Sequence, residues 1–340
     1  MQDRPDQDGR ALAVRQLLRP IQSWLDDRDV TEIAIPRPGV LFVRGRSGWQ
    51  QHVAAILTYD YLAALADAIT VYNGLAPAPI LSMTLPNGER GQVAQPPAVI
   101  DGTLSLNIRK HGLVVKSLAV LEAEGAFENW RDVSPIPSAD AAPLSEREAE
   151  LLALKHECRM VDFLTRAVQL RCNIVIAGRT GSGKTTFARS LMELVPVDER
   201  LITIEDVHEL FLPNHPNRVH MLYGPDAGRV SATDCLAACM RSSPDRVFLA
   251  ELRGAEAWEY LSALNTGHPG GITTTHANDA RGTFDRIAWL VKQSPAGQQM
   301  ALPAIREYLH RTLDLVIYMA DRRVVELHYD SMAATRLANQ

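Results

Sequence analysis

The sequence predicts an α/β protein in which a C-terminal phosphate-loop domain follows a smaller N-terminal α+β domain. Three observations carry this. Gly178-Arg179-Thr180-Gly181-Ser182-Gly183-Lys184-Thr185-Thr186 stands between the apolar run 173–177 and the helix-like stretch 187–192. From Cys172 onward short apolar runs alternate with helical patterns, as in a sheet with helices on both faces. The chain has 340 residues, room for about two domains, and the glycine motif lies near its middle.

The first ten residues are polar and are expected to be disordered. Residues 12–25 place Leu17, Leu18, Ile21, Trp24 and Leu25 at helical spacing, closed by Asp26-Asp27. Residues 31–35 alternate as a strand, and Pro38-Gly39 turns it into a second at 40–43. Residues 59–72 predict a helix ended by Asn73-Gly74. Runs at 80–85 and 91–94 flank Pro86-Asn87-Gly88, a hairpin signal, and 104–108 is a further strand ending at Arg109-Lys110. These elements make a domain over 11–132. Residues 133–146 hold three prolines and no periodicity, and read as a linker.

Ser145-Glu146-Arg147-Glu148 has capping-box spacing and opens a helix towards Leu170. The second domain is expected over 147–332, with a tail at 333–340. Its strand candidates are 174–177, 201–204, 219–222, 247–249, 271–275 and 313–319.

Composition narrows the class. A formal charge of −5 argues against nucleic-acid binding by bulk attraction. No apolar stretch approaches the ~18 residues of a membrane span, and the polar N-terminus is not a signal peptide. Membrane association is therefore expected to be peripheral. Cys158, Cys172, Cys235 and Cys239 lack disulfide or zinc spacing, and Cys235 and Cys239 share a helix face as packing residues. A reduced cytoplasmic compartment fits.

The chemistry begins at the glycine motif. Glycines accept backbone angles that residues with a Cβ resist, so successive N–H groups turn inward on an anion. Gly178, Thr180, Gly181, Ser182, Gly183, Lys184, Thr185 and Thr186 form the nucleotide-binding set. Lys184 is expected on the β/γ-phosphates and Thr185 on Mg²⁺. Residues 246–251 read as a strand ending in Glu251, expected to polarise the attacking water and to join the metal shell. Residues 201–207 end in Glu205-Asp206, a pair useful beside a metal–triphosphate. Residues 266–278 carry a threonine-rich strand with His268 and His276, expected to turn hydroxyls and imidazole towards a γ-phosphate.

In this order the glycine motif, Glu205-Asp206, the Glu251 strand with Arg253, and TGHPGGITTTHA resemble the motifs of secretion ATPases. The chain looks like the VirB-type traffic ATPases of type IV secretion systems, cousins of type II secretion and pilus ATPases. RPIQSWLDD, TEIAIPRPG, LPNGERGQV and LSLNIRK are similar to that subfamily's N-terminal segments, so the resemblance spans nearly the whole chain. The paired cysteine motifs common in type II relatives are absent.

The resemblance implies a RecA-like P-loop NTPase domain, ATP with Mg²⁺, and a homo-hexameric ring with nucleotide held between the N- and C-domains. It puts Arg90 and Arg109 on the phosphates, and makes His268 and His276 couple phosphate loss to domain motion. It also implies other secretion-system ATPases and inner-membrane components as partners, exported protein or DNA as cargo, and a cytoplasmic place at the inner membrane. Ala250 departs from the glycine often found before the glutamate. A GTP switch would need an [NT]-K-x-D element to read guanine, and none is present. A non-catalytic scaffold is disfavoured by the intact Glu205 and Glu251. A nucleic-acid motor remains the neighbouring enzymatic alternative.

Overall fold

The computed structural model describes residues 5–27, 29–45, 47–110, 115–135, 144–224 and 230–330. Two compact units divide the chain between residues 113 and 114, ahead of the stretch expected as a linker. Of that stretch, 136–143 lie outside the described residues, as do 1–4 and the expected tail.

The first unit runs α1 (Pro5–Leu18), a 3-10 turn (Arg19–Ile21), α2 (Gln22–Asp26), β1 (Glu32–Arg37), β2 (Gly39–Gly45), β3 (Gly48–Ala54), α3 (Tyr59–Asn73), β4 (Ile80–Thr84), β5 (Arg90–Ala94) and β6 (Ser105–Arg109). Its strands form one antiparallel sheet in the order β3-β2-β1-β6-β5-β4. Ile33, Ile35, Leu41, Leu106 and Ile108 alternate into one core with Val14, Leu18, Leu62 and Ile69 of the helices. Thr58 caps α3 through the Tyr61 N–H, and Gly74 ends it at φ 66°.

Two expectations are corrected here. Residues 5–10, expected to lack order, belong to α1, whose polar first turns carry no apolar signal. The single helix over 12–25 is broken at Arg19-Pro20, because proline supplies no N–H to continue the ladder.

The second unit runs α4 (Leu118–Ala123), β7 (Arg131–Asp132), α5 (Glu146–His156), α6 (Met160–Gln169), β8 (Ile174–Gly178), α7 (Lys184–Met192), β9 (Leu201–Glu205), β10 (Arg218–Leu222), α8 (Ala232–Met240), β11 (Arg246–Leu249), α9 (Glu256–Asn265), β12 (Ile272–Thr275), α10 (Ala280–Val291), α11 (Pro295–Gln299), α12 (Leu302–Thr312), β13 (Leu315–Ala320) and β14 (Arg323–Tyr329). The sheet order is β10-β9-β11-β12-β8-β13-β14-β7. Strands β10 to β13 in that order pair parallel, and β14 returns antiparallel to β13.

Successive β8 residues feed different cores: Ile174 and Ile176 pack on one face, Val175 on the other. Both faces are therefore covered, which is why these strands read as continuous apolar runs. The helix expected from Ser145 to Leu170 is two, α5 and α6, parted at Cys158 with φ 55°. Val133, at the head of the expected linker, bonds to the Leu327 carbonyl beside β14. All four cysteines are free, and Cys235 and Cys239 are buried on α8. No helix among the described residues is long and apolar enough to cross a membrane.

Candidate nucleotide site

Strand β8 lies between β12 and β13, so the glycine loop leaves the sheet's C-terminal edge with the end of β12 beside it. Gly181 and Gly183 take φ of 80° and 95°, and Gly178 takes 153°. A Cβ on Gly178 would stand 2.3 Å from the Met319 carbonyl oxygen, so only glycine fits under the β13–β14 hairpin. Gly183 starts α7 with no side chain capping the helix.

Lys184 is buried and donates to the Gly178 and Arg179 carbonyls at 2.9 and 3.0 Å. The Ser182 hydroxyl is buried without a hydrogen-bond partner among the described residues. Thr185 is half-buried, and Thr180 and Thr186 are exposed. An orphaned hydroxyl, an ammonium folded back on its own loop and an uncapped helix start suit a polyphosphate carrying Mg²⁺.

Glu251 follows β11 as the sequence predicts. Arg253 donates to its Oε2 from Nε at 2.7 Å, and reaches Asp206 Oδ2 with Nη1 at 2.6 Å. His276 brings Nε2 to 2.8 Å from the other oxygen, Oε1. Burial alone would lower the Arg253 pKa, but Asp206 and Glu251 outweigh it and raise it. His276 is pushed below the ordinary imidazole value by burial and then by Lys184, against the pull of Glu251 and the Gly178 carbonyl.

The threonines of β12 do something other than face a phosphate. Thr274 Oγ1 donates to the Ala250 carbonyl at 2.8 Å, and Thr275 Oγ1 to the Leu252 carbonyl at 3.2 Å. Leu252 N–H returns a bond to the Thr274 carbonyl at 2.8 Å. Strand β12 thus stitches both residues flanking Glu251, with Ala250 taking part through its backbone.

Two expected members do not join this group. Glu205 is fully buried, and its Oε2 accepts the N–H groups of Glu209 and Leu210 at 2.6 and 2.7 Å. Its Oε1 accepts from Thr203 Oγ1 at 2.6 Å and faces Nδ1 of His208 and His220. Side chains alternate along a strand, so Glu205 turns inward where Asp206 turns towards Arg253. Burial would raise the Glu205 pKa, but bonds from His208, His220, Thr203 and Leu210 outweigh it and hold it at about 2. His268 bonds to the Pro244 carbonyl at 3.0 Å, ahead of β11 and β12, at the sheet edge opposite the glycine loop.

Beside the loop, Arg179, Thr180, His276, Ala277, Asn278 and Arg286 line a cleft of about 400 Å³. Asn278 closes the histidine stretch singled out in the sequence, whereas Arg286 carried no signal there, since α10 brings it in only through the fold. In the first unit, Arg90 and Arg109 stand directly opposite on β5 and β6, hence on one face.

The type II/IV secretion system protein family model matches residues 145–329. The type IV secretion system protein VirB11 of Brucella suis is 40% identical over 97% of this chain and 94% of its own length. PtlH of Bordetella pertussis, also a type IV secretion system protein, is 39% identical over 92% of this chain and 94% of its own. The solved VirB11 ATPase of the Brucella suis system, in complex with sulphate, aligns with TM-score 0.54 over 99% of this chain and 100% of that one, at 39% identity. With identity at this level along nearly its whole length, the chain belongs to the VirB11 family of type IV secretion ATPases.

Proposed function

We propose that this protein hydrolyses ATP as a hexameric motor that energises type IV secretion, in substrate translocation, pilus assembly or both. The observation that carries the reading is the Glu251 carboxylate, held by Arg253 and 2.8 Å from His276, which itself lies beside Gly178 and Lys184 of the phosphate loop. Lys184, the loop amides and the Thr180, Ser182 and Thr186 hydroxyls bind the phosphates. Thr185 and Glu251 would hold Mg²⁺, which when bound neutralises phosphate charge and so eases attack. Glu251 accepts the proton of the attacking water and orients it. Glu205 serves from behind, by fixing the loop that carries Asp206. His276, between Glu251 and Lys184, registers loss of the terminal phosphate. Arg90 and Arg109 add positive charge from the N-domain, so that movement of the N- and C-domains follows the nucleotide state.

The family supports a cytoplasmic place at the inner membrane, alongside other secretion-system ATPases and membrane components, with protein or DNA as cargo. Phosphate release with MgATP tests the chemistry. Lys184→Ala should lose both binding and hydrolysis. Glu251→Gln should still bind ATP and turn over about a hundredfold more slowly. Near-normal turnover in the glutamine variant would remove Glu251 from its role.

A further inference from the structure

A second group of side chains, built around the buried Glu205, has the spacing of metal ligands. Glu205 at the end of β9, His208 in the loop after it and His220 on β10 each offer one ligand atom, all within 4.8 Å of one another. Glu205 Oε1 lies 3.2 Å from His208 Nδ1 and 3.4 Å from His220 Nδ1. In a tetrahedral zinc site, bonds of about 2.0–2.2 Å set neighbouring ligand atoms roughly 3.3–3.5 Å apart, so both edges are already at coordination spacing. The two rings lie 4.3 Å apart between centroids.

We propose that Glu205, His208 and His220 form a binding site for Zn²⁺ or a similar imidazole-seeking divalent ion, separate from the Mg²⁺ of the nucleotide. The ion takes the place between Glu205 Oε1 and the two Nδ1 atoms, and His220 Nδ1 exchanges its 2.8 Å bond with the Thr203 hydroxyl for the metal. Each neutral ring then carries its single proton on Nε2, which hydrogen-bonds no described residue. The rings are 32% and 22% exposed, so the ion and a water in the fourth position can reach them, while Glu205 is fully buried behind.

The supporting shell is present as well. The Glu209 and Leu210 N–H groups hold Oε2, and the Thr203 hydroxyl holds Oε1, so the carboxylate is oriented before any ion arrives. Two imidazoles and one carboxylate favour zinc over Mg²⁺, which prefers an all-oxygen shell. Occupancy would tie the loop after β9 to β10.

Calorimetric titration of Zn²⁺ into the full chain, nucleotide-free and with Mg²⁺ in excess, tests the site without depending on ATP hydrolysis. One zinc equivalent is expected. His208→Ala and His220→Ala should each weaken it about tenfold or more, and the exposed His156→Ala should leave it unchanged. Co²⁺ in the unaltered protein provides a second reading: the intense visible spectrum of a four-coordinate site is expected. Absence of zinc binding, an undiminished event in the double histidine variant, or a weak six-coordinate cobalt spectrum would each overturn the proposal.

Discussion

Burial of His328 ties the stability of the second unit to acid. Burial pushes its imidazole down to about 4, His310 and Arg281 push the same way, and Asp330 opposes them. Its Nδ1 has no hydrogen-bond partner among the described residues, and its ring tilts against Phe284 at 4.9 Å. In the unfolded chain the same ring titrates near 6.5, so the unfolded state takes up the proton first. The contribution is fully present above 6.5 and is lost as pH falls to about 4, an effect of about 3 kcal/mol. His328→Phe should therefore flatten the fall in urea midpoint between pH 6.5 and 4. An unchanged slope would place the acid sensitivity elsewhere. Asp314 is not a candidate, since burial raises its carboxyl to about 6 and its contribution fades as pH rises.

At this same scale, the phosphate loop was legible because strand, glycines and helix are contiguous in sequence. The split between Glu205 and Asp206 was legible in principle, since strand alternation sends adjacent acids to opposite sides. So was the separation of His268 from His276, which flank a single strand and must sit at opposite sheet edges. Arg286 was not, because its place beside His276 depends on where α10 packs.

Strand β12 is the element on which the position of Glu251 depends. It lies between β8, which feeds the phosphate loop, and β11, which feeds Glu251, so its end spans the gap between them. Its hydroxyl bonds to the Ala250 and Leu252 carbonyls fix the backbone on either side of the carboxylate. Thr274→Val preserves shape but removes one of these bonds. It should lower turnover by about tenfold while the KM for ATP holds, with a stability loss of about 1–3 kcal/mol. If kcat and KM both stayed at their original values, the hydroxyl would be mere packing.

Elements with strong apolar runs were readable, and those without were missed. Strand β3 presents Gln50 and Gln51 to solvent and leaves only a weak alternation. Strand β14 mixes Arg323, Glu326 and His328 among its apolar residues, and follows a turn at Asp321 and Arg322 with φ of 48° and 64°. That is the geometry of a two-residue hairpin, made without the glycine that usually announces it.

At the scale of the whole molecule, the first unit carries a row of charge across its sheet. Arg44, Glu32, Arg109 and Arg90 occupy consecutive strands in register, three arginines to one glutamate. Like charges directly opposite one another cost stability, and Glu32 beside Arg109 offsets part of that cost. Arg109 is 46% exposed on its side chain and lies 3.9 Å from Glu32, so its removal should cost the fold less than about 1 kcal/mol. Arg109→Ala should therefore leave thermal unfolding nearly unchanged and lower ATP hydrolysis about tenfold or more, if the arginine stabilises charge on the transferred phosphate. Solution mass with and without an ATP analogue separates two causes of a lower rate. A variant that keeps the solution mass of the unaltered protein but turns over slowly has lost a charge at the phosphate. One that fails to assemble has lost a contact between subunits. Unaltered hydrolysis in an intact assembly would leave Arg109 as a surface charge and remove it from the proposed coupling of the N-domain to nucleotide.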